Sequence, residues 1–113
     1  MQISRDRVTD EDSPVSFIDP HSPLLTTPNA IGPDDFNGWV QERGLYFASK
    51  WDSRYSAVIA THDPGEEFLP GGMLFTHYGK GTYVFTAYSW FRQLPAGVPG
   101  AYRIFANLLS AGK

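Results

Sequence analysis

The chain has 113 residues, 42% of them apolar, and carries 8 Phe, 6 Tyr and 3 Trp. That suffices for one hydrophobic core and one domain over residues 1–113, and it excludes a chain disordered throughout. A net charge of −3, with nine scattered Lys and Arg, argues against nucleic acid or an anionic membrane as partner, and the lack of cysteine removes disulfides, thiolate metal ligands and cysteine nucleophiles.

Taken in chain order, the opening MQISRDRVTDED is polar and has no apolar core of a signal peptide. A start inside a longer chain leaves room for a leader upstream, with a secreted or periplasmic parent. No apolar run approaches the roughly 18–20 residues of a membrane span. Residues 2–9 alternate loosely and are expected to form an edge strand. Asp10 to Pro14 reads as an acidic turn, and Val15 to Ile18 as a short strand closed by Asp19-Pro20. From His21 to Pro33 the chain is rich in Pro, Ser and Thr, an extended connection anchored by Leu24, Leu25 and Ile31.

The first helix is expected from about Pro33 to Arg43. Pro33 suits the first helical position, Asp34 and Asp35 favour the positive end of the helix dipole, and Phe36, Trp39 and Val40 form one stripe. Gly44 is the expected left-handed stop, and Gly38 weakens the interior by roughly 1 kcal/mol relative to Ala. Leu45 to Trp51 and Ser56 to Thr61 read as strands. His62 to Glu67 is a turn-rich acidic loop. A β-hairpin follows, Gly71 to Tyr78 and Thr82 to Tyr88, turning on Tyr78-Gly79-Lys80-Gly81. An aromatic crossover leads to a last helix, Val98 to Ser110, with Ala101, Tyr102, Phe105, Leu108 and Leu109 on one face and Gly112 just past its end. The expected fold is α/β, with α+β as the alternative: a mixed sheet of five or six strands, including the C-terminal hairpin, with two helices packed on it.

His62, Asp63, Glu66 and Glu67 are the one local group of metal-ligand or acid–base side chains. The chain lacks the HxxH or HxxxH spacing of a zinc site, and a solvated acidic turn is the commoner use of such residues. His77 is expected to be a hydrogen-bonded, partly buried strand histidine on the face of Met73 and Phe75, and His21 to fix its loop. The serines lie outside any GxSxG elbow, and Gly79-Lys80-Gly81 joins two strands, unlike a phosphate loop. The aromatics Tyr83, Phe85, Tyr88, Trp90, Phe91 and Tyr102 are either core or a sugar-stacking platform, core being commoner at strand spacing. Trp51, Trp90 and Tyr88 are the candidate ligand-stacking residues. Arg92 is expected to anchor the crossover through carbonyls or acidic side chains.

The segments HSPLLTTPNAI (21–31), DDFNGWVQERGLYFASKWD (34–52) and DPGEEFLPGGMLFTHYGKGTYVFTAYSWFRQLPAGVPGAYRIFANLLS (63–110) together resemble the C-terminal region of bacterial PIG-L (LmbE-like) deacetylases. In that family a zinc-dependent N-acetylglucosamine-type deacetylase domain comes first, and a class I glutamine-amidotransferase-like domain comes late. The resemblance implies that this chain is the C-terminal fragment of a larger multidomain hydrolase, with the zinc held in the upstream catalytic domain and no cofactor here. The family's zinc motif HPDD meets Gly32-Pro33-Asp34-Asp35 here, read as a helix start, and no HxxH follows. An active amidotransferase would need a cysteine and a histidine after the last core strand, where Ser89, Trp90, Phe91 and Arg92 stand.

Three readings follow. The chain is a non-catalytic accessory domain that supports its upstream catalytic neighbour or presents a glycan. Alternatively it is an autonomous carbohydrate-binding module using exposed aromatics. The third is a small hydrolase on His62, Asp63, Glu66 and Glu67. Missing first strands of the parent domain would expose sheet edges and make a homo-oligomer a candidate assembly.

Overall fold

In a computed structural model, residues 1–111 are described, with Tyr78 described by its backbone alone. The expected helix stop at Gly112 lies outside the described residues. The strands are β1 (Gln2–Ile3), β2 (Arg7–Val8), β3 (Ser16–Phe17), β4 (Gly44–Leu45), β5 (Ala48–Lys50), β6 (Ser56–Ala57), β7 (Ile59–Ala60), β8 (Met73–Tyr78) and β9 (Gly81–Thr86). The helices are α1 (Pro23–Thr26), α2 (Trp90–Gln93) and α3 (Pro99–Ser110), with a 3-10 turn at Pro33–Phe36. The chain thus joins helices and strands, as expected for its class.

The strands do not merge into one large sheet. β6, β8 and β9 form a three-stranded sheet in the order β6-β8-β9, and β1-β5, β2-β4 and β3-β7 are separate pairs, all antiparallel. The N-terminal alternation is likewise divided between β1 and β2. Each short pair ties an N-terminal segment to the middle of the chain, so closure is long-range. The radius of gyration, 13.2 Å, matches the value of about 13 Å for a packed chain of this length.

The helix expected over 33–43 stops after one 3-10 turn. Gly38 takes φ +77° and Gln41 φ +66°, both left-handed and incompatible with a continuing helix. Tertiary partners capture the released backbone: Val40 N–H donates to Gln93 Oε1 at 2.8 Å, and Arg43 N–H to Val8 O at 2.9 Å. Phe36 and Trp39 remain buried, so the apolar stripe was real while its helix was not. Gly44, expected as the left-handed stop, lies in β4, where a Cβ would come within 2.5 Å of Ala87 O. The connection after His21 also contains a helical turn, α1, with the Ser22 hydroxyl accepting from Leu24 N–H at 3.3 Å.

α3 forms as expected, and Ala101, Phe105 and Leu108 of the expected face pack on the core, but the face is rotated at its edges. Gly100, Ala101, Ile104 and Asn107 are buried, whereas Tyr102 and Leu109 are 53% and 68% exposed. Gly100 sets this rotation, because its Cα lies so close to the 3-10 turn that a Cβ would be 1.8 Å from Asp35 O. Asn107 fixes the other end: its Nδ2 donates to Leu24 O at 2.9 Å and Asn29 O at 2.8 Å, and its Oδ1 accepts from Asn29 N–H at 2.9 Å.

At the core, Trp39 stacks on Phe36 at 5.7 Å and meets Trp90 edge-on at 5.4 Å and Tyr88 at 6.3 Å. Such pairs add about 0.5–1.5 kcal/mol each beyond area burial. Among the described residues, no helix is long and apolar enough to cross a membrane.

Candidate ligand cleft at the hairpin

β6 covers β8 only at Phe75 and Leu74, so the distal part of the hairpin extends beyond it. The turn Asp52 to Tyr55 fills part of that space. Tyr55 N–H closes it on Asp52 O at 3.0 Å, and the Thr76 hydroxyl donates to Arg54 O at 2.8 Å, fastening turn to strand. What remains is a cleft of about 380 Å³ lined by Arg54, Tyr55, Thr76, His77, Thr82 and Tyr83, with Gly81 at the turn.

Each lining group is held in place. Tyr55 and Tyr83 meet edge-to-face at 6.0 Å and 84°, and Tyr83 is 51% exposed, which leaves ring surface for a ligand. Arg54 binds Asp52 through two parallel hydrogen bonds, Nε to Oδ1 at 3.0 Å and Nη2 to Oδ2 at 3.1 Å. The Arg54 side chain, followed by its backbone N–H, holds the Asp52 carboxyl down at about 2. Arg54 and Asp52 compensate each other's charge, so this end of the cleft is close to electrically neutral. The His77 ring stands edge-on to Phe75 at 5.0 Å, with Nδ1 3.3 Å from the Thr82 hydroxyl. His77 is exposed, correcting the expectation of a partly buried ring. Its position past the end of β6 takes it beyond the reach of the core. The cleft therefore offers aromatic faces ringed by hydroxyl, imidazole and guanidinium groups, the chemistry that stacks on and hydrogen-bonds a sugar ring.

The residues singled out as stacking candidates lie elsewhere. Tyr88 and Trp90 are buried, at 4% and 8% exposure, and their faces are spent on Trp39, Phe47 and Phe105. This corrects their reading as ligand platforms. They follow the hairpin where the chain turns inward, so packing outcompetes exposure. Burial raises the Tyr88 phenol to about 12, against smaller opposing effects of Thr61's hydrogen bond and Arg43's charge. Trp51 is half-buried just before the Asp52 turn, outside the cleft lining. Of the wider aromatic set, Tyr83 is the one that reaches the cleft.

The acidic loop is taken apart by the fold. The Asp63 carboxylate is buried and accepts from Thr9 N–H and Asp10 N–H, both at 2.7 Å, and from the Thr9 hydroxyl at 3.1 Å. His62 Nδ1 lies 2.8 Å from Asp63 O; a carbonyl only accepts, so Nδ1 carries the proton. The ring packs edge-on to Phe68 at 4.3 Å, while Glu66 and Glu67 are exposed. Among the described residues, no three His, Asp or Glu side chains converge to hold a metal ion. His21 is exposed.

Around Ser89 to Arg92 the side chains serve the scaffold. The Ser89 hydroxyl donates to Glu42 O at 2.7 Å, and Arg92 Nε donates to Glu42 Oε1 at 2.6 Å, the acidic partner expected for it. Gln93, fully buried, returns two bonds to Val40 through Oε1 and Nε2, imitating a strand neighbour. Arg43 is also buried. Its Nη1 donates to Phe36 O at 2.8 Å and its Nη2 to Ser13 O at 2.6 Å, with the guanidinium carbon 5.6 Å from the Phe36 ring centroid and 5.4 Å from that of Trp39. Sequence reasoning had no signal for Arg43, Gln93 or Asn107, since their partners are backbone groups distant in the chain. Tyr55 carried only its neighbourhood with Arg54 and Asp52.

No protein-family model, curated protein or solved structure matches this chain.

Proposed function

We propose that this chain is a non-catalytic accessory domain that holds a sugar of a glycan in the Tyr55–Tyr83 cleft. On the resemblance, its partner is the upstream catalytic domain of a PIG-L (LmbE-like) deacetylase, a zinc hydrolase acting on N-acetylated sugars. The observation that carries the reading is the cleft itself: an exposed, pre-positioned tyrosine face beside Arg54, His77, Thr76 and Thr82. Outside the cleft, Ser89 bonds carbonyls and Asp63 bonds backbone amides, so both side chains serve the scaffold.

A sugar in this cleft gains ring stacking on Tyr83 and hydrogen bonds from the rim, with little charge attraction because Arg54 is neutralised by Asp52. Neutral or N-acetylated sugars are therefore favoured, with affinity that changes little with salt. Titration with a panel of N-acetylglucosamine oligosaccharides and neutral glycans, followed by intrinsic fluorescence and calorimetry, tests this. Tyr83→Ala is expected to weaken binding at least tenfold while leaving the fold intact. A panel without response removes the glycan reading.

The same cleft supports a second reading, an autonomous carbohydrate-binding module with no catalytic neighbour. The reading frame around the gene separates the two. An upstream HPDD motif assigns the accessory role, and a frame without one assigns the module.

A further inference from the structure

The outer edge of β9 is a second candidate surface, and its hydrogen-bonding phase follows from the hairpin. Two residues, Gly79 and Lys80, separate β8 from β9, and Tyr78 faces Gly81 across the turn. In a two-residue hairpin the closing pair exchanges both backbone bonds, so Gly81, Tyr83 and Phe85 point their N–H and C=O groups at β8. Ala87 keeps that phase, its N–H donating to Gly72 O at 2.8 Å. Thr82, Val84 and Thr86 consequently aim their backbone N–H and C=O away from β8. The sheet order ends at β9, so no strand of the described residues meets them.

The strand itself, GTYVFT, lacks charge, proline and bulge, and its register with β8 runs unbroken from Thr86 to Gly81, although at its C-terminal end the Thr86 hydroxyl accepts from Trp90 Nε1 at 3.0 Å. Monomeric proteins blunt such edges with lysine, proline, bulges or cover. The turn lysine, Lys80, lies outside the strand.

We propose that β9 pairs antiparallel with β9 of a second copy of this chain, about a two-fold axis at Val84. That register places Val84 opposite Val84, Thr82 opposite Thr86, and Tyr83 opposite Phe85. The outward groups of Thr82, Val84 and Thr86 then meet their counterparts in hydrogen-bonded pairs. No other register of this strand on itself matches all three. Side chains agree with it: like meets like at valine, threonine opposes threonine, and an aromatic pair forms on the face of Tyr83. With no charge on the strand, no like charges oppose across the axis. The two three-stranded sheets become one continuous sheet, with both β9 edges buried in it.

Because the chain has no cysteine, single introduced thiols report the register cleanly. Opposed residues of a hydrogen-bonded pair lie about 5.5 Å apart at Cα, within disulfide reach. Two Thr82 residues would be offset by four positions, about 13 Å. Sedimentation equilibrium of the unaltered chain is expected to give a dimer. Under mild oxidation Val84→Cys is expected to crosslink to a covalent dimer and Thr82→Cys to remain uncrosslinked, both with unchanged far-UV circular dichroism. A monomeric chain overturns the proposal, as does a dimer that fails to crosslink at Val84 or does so equally at Thr82. A monomer whose Thr82, Val84 and Thr86 amides gain hydrogen-exchange protection only on adding another domain assigns the edge to that domain and also overturns self-pairing.

Discussion

Asp63 shows how one side chain changes meaning on folding. In the chain it sits among His62, Glu66 and Glu67; in the fold it bonds the backbone of Thr9 and Asp10. Charge-assisted bonds to buried amides are worth about 1.5–3 kcal/mol each, so Asp63→Ala is expected to destabilise by about 2–4 kcal/mol, measured by urea denaturation. The loss should leave the proposed sugar binding at the hairpin unchanged, because Asp63 is not among the residues that line the cleft. Asp52 offers a different test. Its carboxyl is held at about 2, below the free value of 3.8. The pairing with Arg54 is therefore present in full above about pH 4 and lost as the pH falls through about 2. Carbon-detected NMR titration is expected to find that midpoint, and Arg54→Gln to return it towards the free value. Neither role was legible beforehand. An acidic side chain announces its charge but not which amides the chain will bring to it.

Elements were more legible than their boundaries. The hairpin and α3 stand where the turn glycines and the 3.6-residue pattern place them, because both depend on local geometry. The 33–43 helix failed because Gly38 and Gln41 have better uses in left-handed backbone, and because Gln93 and Val8 supply tertiary hydrogen bonds that a helix would forgo. The face of α3 was set by close approach at Gly100, a contact that periodicity does not contain. Gly100→Ala puts two effects in opposition. Higher helix propensity contributes about 1 kcal/mol of stability, and overpacking against Asp35 backbone costs typically about 1–3 kcal/mol. Since the added Cβ would stand 1.8 Å from a backbone oxygen, overpacking wins. A lowered Tm is expected, with loss of hydrogen-exchange protection along α3.

At the scale of the whole molecule, stability converges on Tyr88. Its ring touches Trp39 and Phe47, and its hydroxyl lies 3.2 Å from the Thr61 hydroxyl. The phenol's folded value, about 12, stands above the ordinary 10 of the unfolded chain. Its contribution is thus fully present below pH 10 and is lost as the pH rises through about 12. Denaturant midpoints are expected to fall across that window, and Tyr88→Phe to flatten the fall while losing the Thr61 hydrogen bond. The expectation that Tyr88 and Trp90 serve a ligand failed for the same reason: a small domain spends its largest rings on its core before its surface.

By itself the sequence determined the class of fold, the C-terminal hairpin, the terminal helix, and the exclusion of thiol chemistry. Each rests on local geometry or on composition, which tertiary contacts do not alter. Only the tertiary structure decided which polar side chains became scaffold, which helix face docked, and which tyrosines met at a cleft. Tyr55 and Tyr83 lie far apart in the chain, and β8 alone brings them together. Burial and proximity between distant segments are properties of the closed chain, and no local pattern encodes them.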